Sequence, residues 1–217
     1  MRGGRPTVER EAFLARVAAS VRSAQVPPHG EPGLLVPELP ETDLVERFTA
    51  SLTAVDGVVH DDPPAQVLGE LIDRYQPKRF LAWAGLDDLT QLLSQRGLEQ
   101  VPSHVPMEDR LAHQGGYLDV DLGLTGAEAG FAESGSIVVR SGPGQPRMAS
   151  LIPLVHVALL PRERIHRSLA HWAKEEAATM AAAANLVFIT GPSRTGDIEQ
   201  YLNLGVHGPK HVHVVLI

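Results

Sequence analysis

Apolar residues recur along this chain in two periods, and the period switches back and forth. Leu14, Val17, Ala18 and Val21 fall on one side of a helical wheel, with Glu9, Arg10, Arg16 and Arg22 elsewhere, so Val8 to Ala24 predicts an amphipathic helix. Pro27, Pro28, Gly30, Pro32 and Gly33 then break the pattern and make that helix an arm on a linker. Regular alternation starts near Leu39. Leu44 to Val55 reads as helix, Val58-Val59-His60 as strand, Ala65 to Tyr75 as helix and Arg79 to Ala84 as strand. Asp87 to Arg96 reads as helix again, with Asp87 at the N-cap and Gly97 at C′.

From Val120 to Leu160 glycines and prolines separate short β-like runs at Ser136 to Arg140 and Leu154 to Leu160, which predicts a mostly extended region. Arg162 to Ala184 predicts a long Ala-rich helix. Asn185 to Ile189 follows as strand, Thr190 to Asp197 as turn, Ile198 to Leu202 as helix and His211 to Ile217 as the last strand. Such alternation implies a Rossmann-like layered α/β domain with a largely parallel central sheet over residues 39–217, after a helical arm and linker over residues 1–38. Ligands in these domains bind beyond the C-terminal ends of the strands, and the Gly191 loop is expected at such an end.

Composition narrows the function classes. A chain of 217 residues accommodates one full core plus an appendage. With 43% apolar residues and no apolar run near the ~20 that a spanning helix needs, no membrane span is expected. No apolar stretch with a small-residue cleavage site follows the charged start, so a cytoplasmic location is expected. There are no cysteines, which rules out an iron–sulfur cluster held by this chain's own thiolates. The net charge of −7 and an aromatic content of 5% argue against nucleic acid as a partner.

Four segments carry candidate chemistry. In TGPSRTGD, Thr190 to Asp197, a Gly191 turn feeding a helix would present backbone N–H groups to an anion, with Ser193, Arg194 and Thr195 adding hydroxyls and a guanidinium. The plainer reading makes Asp197 an N-cap and Gln200 the partner in a capping box. In LTGAEAGFAESGSIVV, Leu124 to Val139, Glu133 stands where a carboxylate can act as base or nucleophile, or is simply an exposed loop glutamate. In SGPGQPRM, Ser141 to Met148, Gln145 and Arg147 beside Gly142 can clamp a carboxylate, or form a turn with a solvated arginine. In GVHGPKHVH, Gly205 to His213, His211 and His213 share a strand face; with His207 and Lys210 they make either a metal site or a polar rim beside the Arg194 loop. His156, in an apolar run, is expected to be a buried core histidine.

The blocks AESGSIVV (132–139), GPGQPRM (142–148), GPSRTGDIE (191–199) and GVHGPKHVHVVLI (205–217) together resemble the LUD-domain family, in particular its lactate-utilisation protein C branch. The resemblance covers roughly Gly57 to the C-terminus. It implies an α/β fold like that of sugar-phosphate isomerases and coenzyme A transferases. It also implies a role in converting L-lactate to pyruvate beside iron–sulfur companion proteins, which would hold the only clusters. In coenzyme A transferases a Glu-Asn-Gly motif supplies an acyl-accepting glutamate, and Glu133-Ser134-Gly135 is similar, with serine in place of asparagine. The expected role is an accessory subunit that binds a small carboxylate or phosphate among the Glu133, Arg147 and Arg194 loops, with His207 at the mouth. An acyl-transferring enzyme with Glu133 as nucleophile, or a non-catalytic assembly protein, are the alternatives.

Overall fold

The computed structural model describes residues 10–23, 43–103, 119–183, 185–196, 202–205 and 207–217. In chain order the elements are α1 (Arg10–Ser23), α2 (Leu44–Thr53), β1 (Val58–His60), α3 (Pro64–Tyr75), β2 (Arg79–Ala82), α4 (Asp87–Gln95), β3 (Glu99–Gln100), β4 (Leu122–Gly126), β5 (Ala129–Phe131), β6 (Ser136–Ser141), β7 (Val155–Leu160), β8 (Ile165–His166), α5 (Leu169–Glu175), α6 (Ala177–Ala182), β9 (Asn185–Ile189), β10 (Arg194–Gly196), β11 (Leu202–Leu204) and β12 (His211–Leu216). The chain divides into two units, residues 1–37 and 38–217. In the first, α1 carries Phe13, Leu14, Val17 and Val21 exposed.

In the second unit a six-stranded, all-parallel sheet runs in the order β1-β12-β7-β4-β2-β3. Its central strands are buried on both faces, which is why they read as nearly continuous apolar runs. One face, with Phe80, Leu122, Leu124, Val157 and Val215, packs on Val67, Leu68, Leu71 and Ile72 of α3 and Leu93 of α4. Pro64 sits in the first turn of α3, where a missing N–H costs nothing, and the apolar spacing from Val67 onward supplies the buried stripe. The opposite face, with Leu81, Trp83, Ala158, Leu160 and Val214, packs on Phe48 and Leu52 of α2 and on Ile137 and Val139 of β6.

β6 belongs to a second sheet, β8-β5-β6-β9, in which β6 is antiparallel to both neighbours. Its outer face buries Ala129, Phe131 and Val138 against Trp172 of α5. The α/β architecture with a parallel central sheet is therefore the one expected. Among the described residues no helix is long and apolar enough to cross a membrane.

Three local expectations are corrected. The single helix over Arg162 to Ala184 is instead a 3₁₀ turn (Arg162–Arg164), the short strand β8 and two helices. β-Branched Ile165 pairs with Gly130 of β5, and Ser168 starts α5 by accepting a hydrogen bond from the His171 backbone N–H. The alanines stay helical in the two helices, and sheet pairing takes only Ile165 and His166 ahead of them. Asp87 is the first residue of α4; the N-cap position belongs to Leu86.

The third correction concerns the Gly191 loop. Arg194–Gly196 is strand, paired antiparallel with Leu202–Leu204, so strand, turn and hairpin replace strand, turn and helix. Leu202, expected to end the helix, is strand. Asp197 and Gln200 lie outside the described residues. The loop also follows β9, a strand of the second sheet, and its contacts are at the N-terminal ends of the parallel strands: Gly191 abuts Val55 before β1, and Ser193 bonds to Pro209 before β12. The alternation Leu202-Asn203-Leu204 fits a strand as well as a helix end, and pairing across the hairpin decides between them.

Candidate functional site

The Glu133 turn and the Gly191 loop are brought together. β6 and β9 run antiparallel with Ile137 opposite Ile189, so Ser136, the first residue of β6, meets Thr190, the residue after β9. Ser136 Oγ is 2.7 Å from Thr190 Oγ1 and 2.7 Å from Ser134 Oγ, forming a chain of three hydroxyls. Beside it Glu133 is exposed, and its carboxylate has no ion-pair partner among the described residues. The turn is rigidly seated: Gly135 has φ +67°, and a Cβ there would lie 2.2 Å from the Leu52 nitrogen. Ser51 Oγ donates to the Ala132 carbonyl at 2.9 Å.

The contact surface continues beyond Thr190. The Ser193 N–H donates to the Pro209 carbonyl at 2.8 Å, and the Gly205 N–H donates to the Ser193 carbonyl at 2.9 Å. Lys210 and His207 are exposed along this rim, and Lys210 has no carboxylate partner among the described residues. Arg194 is engaged elsewhere, with Nη2 2.5 Å from Asp56 Oδ2. Thr195 is half-buried in the hairpin opposite Asn203. Gly191 is required by packing: φ is +83°, and a Cβ would lie 2.5 Å from the Val55 carbonyl oxygen.

Gly142 and Gln145 lie at the other end of β6, about 17 Å along a six-residue strand from the Glu133 turn. They pair with each other in a tight turn at the C-terminal end of β2, where the Ala84 N–H donates to the Gly144 carbonyl at 2.8 Å and Trp83 Nε1 to the Pro146 carbonyl at 3.3 Å. Arg147 follows, exposed, at the head of a 3₁₀ turn. A small ligand bound at Glu133 is thus not also held by Gln145.

This second locus has a topological meaning that the sequence did not disclose. From β2 the chain steps outward to β3, returns to β4 and then proceeds the opposite way to β7 and β12. The direction reverses between β2 and β4, and open α/β sheets take ligands at the C-terminal side of that reversal. Trp83, Gly85 and Gly126 stand there. Gly85 has φ +85° with open space where its Cβ would be, and a Cβ on Gly126 would lie 3.6 Å from the Trp83 ring. The one sequence signal was Trp83-Ala84-Gly85 directly after an apolar strand.

The histidines separate. His156 is buried, with Nε2 2.9 Å from Thr125 Oγ1 and Nδ1 without a partner among the described residues; burial pushes it down to about 4. His211 and His213 share one face of β12, as expected. His213 is buried between His60 and Tyr75, and burial followed by the neighbouring imidazoles pushes it down to about 3. Among the described residues no group of three or more His, Asp or Glu is arranged to hold a metal ion.

Comparison with known proteins adds four findings. The LUD domain family model matches residues 45–217. The chain is 30% identical to a "Lactate utilization protein C" of an Exiguobacterium species, over 96% of this chain and 95% of that one. It is 32% identical to a protein of the same name from Halalkalibacterium halodurans, over 66% and 64% of the two chains. A crystal structure of a DUF162 family protein from Deinococcus radiodurans superposes with a TM-score of 0.60 at 18% identity, covering 82% of this chain and 99% of that one, and so shares the fold.

Proposed function

The chain belongs to the LUD-domain family, and on that premise we propose that it takes part in lactate utilisation, as a carboxylate-binding subunit acting with iron–sulfur proteins that oxidise L-lactate to pyruvate. One observation carries the reading: the similarity to a lactate utilization protein C extends over nearly the full length of both chains. The oxidation removes two electrons and two protons from the substrate. A chain without cysteine has no thiolate ligands for a cluster, so the electrons pass to clusters on the partners.

We assign the proton-handling role to Glu133. It is exposed in the turn that carries the Ser134, Ser136 and Thr190 hydroxyl chain, a pairing that suits a ligand bringing both a hydroxyl and a carboxylate. Glu133 accepts the hydroxyl proton, the C2 hydrogen leaves as a proton to solvent while the two electrons pass to the partners' clusters, and Ser193 and Lys210 on the adjoining rim meet the negative end. Arg147, at the reversal of the parallel sheet, is a second cation for a carboxylate and a separate locus. Calorimetric titration with lactate and pyruvate tests the assignment: Lys210→Ala weakens binding if the Glu133 rim is the site, whereas a loss confined to Arg147→Ala moves the ligand to the C-terminal crevice.

A further inference from the structure

The cluster around His213 lies outside both loci. His213 Nδ1 is 2.9 Å from His60 Nε2, and His213 Nε2 is 3.2 Å from the Tyr75 hydroxyl, so one buried imidazole joins β12 to edge strand β1 and to the last turn of α3. The His60 and His213 rings lie 5.2 Å apart, and His211 lies against Tyr75 at 4.7 Å. A phenol donates more readily than it accepts, which sets the polarity: Tyr75 O–H to His213 Nε2, then His213 Nδ1–H to His60 Nε2. One proton entering at His60 can be accommodated if the chain reverses, with His60 donating to His213 and His213 to the Tyr75 oxygen. A second proton leaves two N–H groups facing each other.

We propose that His60, His213 and Tyr75 form a protonation latch: the neutral chain ties β1 and the end of α3 to β12, and acid releases β1. The strand is poised for this. It has three residues, stands at the sheet edge and pairs only with β12 among the described strands. Its release reaches the candidate site, because β1 begins two residues after Asp56, the partner of Arg194, and three after Val55, the seat of Gly191.

The surroundings oppose charge on His213 more than on His60. On α3, Arg74 repels a His213 cation, as do His211 on the same strand, His60 on β1 and His156 on β7; Lys210 and Arg74 bear on His211 in the same sense. Glu70 on α3 and Asp62 after β1 favour a His60 cation but do not outweigh its burial. Both imidazoles are therefore held neutral when closed; when β1 detaches, His60 sheds its burial and regains the ordinary value of 6.5, whereas His213 stays on β12 beside Arg74, His211 and His156. The open form binds the extra proton at His60, so closure is favoured above that value and is lost as pH falls.

Hydrogen exchange of the β1 amides in the full chain, corrected for intrinsic chemistry, tests the latch at about pH 7.5 and about pH 5. The opening constant of β1 is expected to rise about tenfold or more between them, while β4 and β7 stay protected. His60→Gln, on the half-exposed partner, keeps an amide for hydrogen bonding and removes the titration, so its β1 exchange becomes nearly pH-independent. Imidazole ¹⁵N shifts at the higher pH show His213 protonated on Nδ1. Unchanged β1 protection in the wild type, or an equal acid response in His60→Gln, overturns the proposal.

Discussion

Arg194 Nη2 lies 2.5 Å from Asp56 Oδ2, across 138 residues of sequence, and this pair pins the β10–β11 hairpin to the turn between α2 and β1. The guanidinium that the sequence offered for an anion is thus already paired. Both side chains reach solvent, Asp56 at 72% exposure, so the pair stabilises the fold by less than about 1 kcal/mol. Asp56→Asn leaves the urea midpoint nearly unchanged and strengthens pyruvate binding by freeing the cation. Weaker binding in Asp56→Asn would show that Arg194 acts only as a clasp.

Gly135 and Gly123, like Gly191, sit where no side chain fits. A Cβ on Gly135 would lie 2.2 Å from the Leu52 nitrogen at φ +67°, and one on Gly123 would lie 1.8 Å from the Ala149 carbonyl oxygen. Each substitution by alanine costs at least about 1–3 kcal/mol, through overpacking against backbone that cannot rotate away. Gly85→Ala meets no neighbour and costs only the strain of its left-handed conformation, of order 1 kcal/mol. Urea unfolding of the three variants gives the ranking directly.

Trp172 fills the outer layer, with its ring centroid 5.8 Å from that of Phe131 and 6.4 Å from that of Phe188. Its Nε1 is buried without a hydrogen-bond partner among the described residues. Trp172→Ala is expected to cost about 3–5 kcal/mol. Trp172→Phe costs far less, because the volume it loses is offset by removing an unpaired donor. Equal losses in the two variants would mean that Nε1 is hydrogen-bonded in solution.

Acid acts on the core through His156 and His213, whose folded values of about 4 and about 3 lie below the ordinary 6.5. Groups with depressed folded values bind protons on unfolding, so their contribution is complete above pH 6.5 and shrinks as pH falls toward about 4. The urea midpoint is therefore flat near neutrality and drops on the acid side. His156→Gln removes about one proton from that slope; an unaltered slope would place the titration elsewhere.

The parallel sheet and its first helices were readable because their apolar periods are set by burial in the chain itself: Phe80-Leu81-Ala82 is covered on both faces, and Val67, Leu68, Leu71 and Ile72 form one helical stripe. After Leu160 the strands at Asn185 to Ile189 and from His211 were legible too, whereas Arg162 to His166 and Arg194 to Leu204 were not, because their structure is decided by partners far off in sequence. Ile165 becomes strand only through Gly130, and Arg194 only through Leu204. The meeting of Ser136, in the Glu133 segment, with Thr190 follows from the β6–β9 register, which no local pattern discloses. Likewise the shared face of His211 and His213 was legible, whereas their partners Tyr75 and His60 depend on the α3 packing and on the β1–β12 pairing.

The decisive measurement is anaerobic lactate-to-pyruvate turnover by the iron–sulfur partner proteins, with no added chain, with wild type and with Glu133→Gln. Turnover is expected to require the wild-type chain and to fall at least about a hundredfold with the variant, the scale of a lost acid–base group. Equal turnover by the partners alone would contradict the proposed role in lactate oxidation.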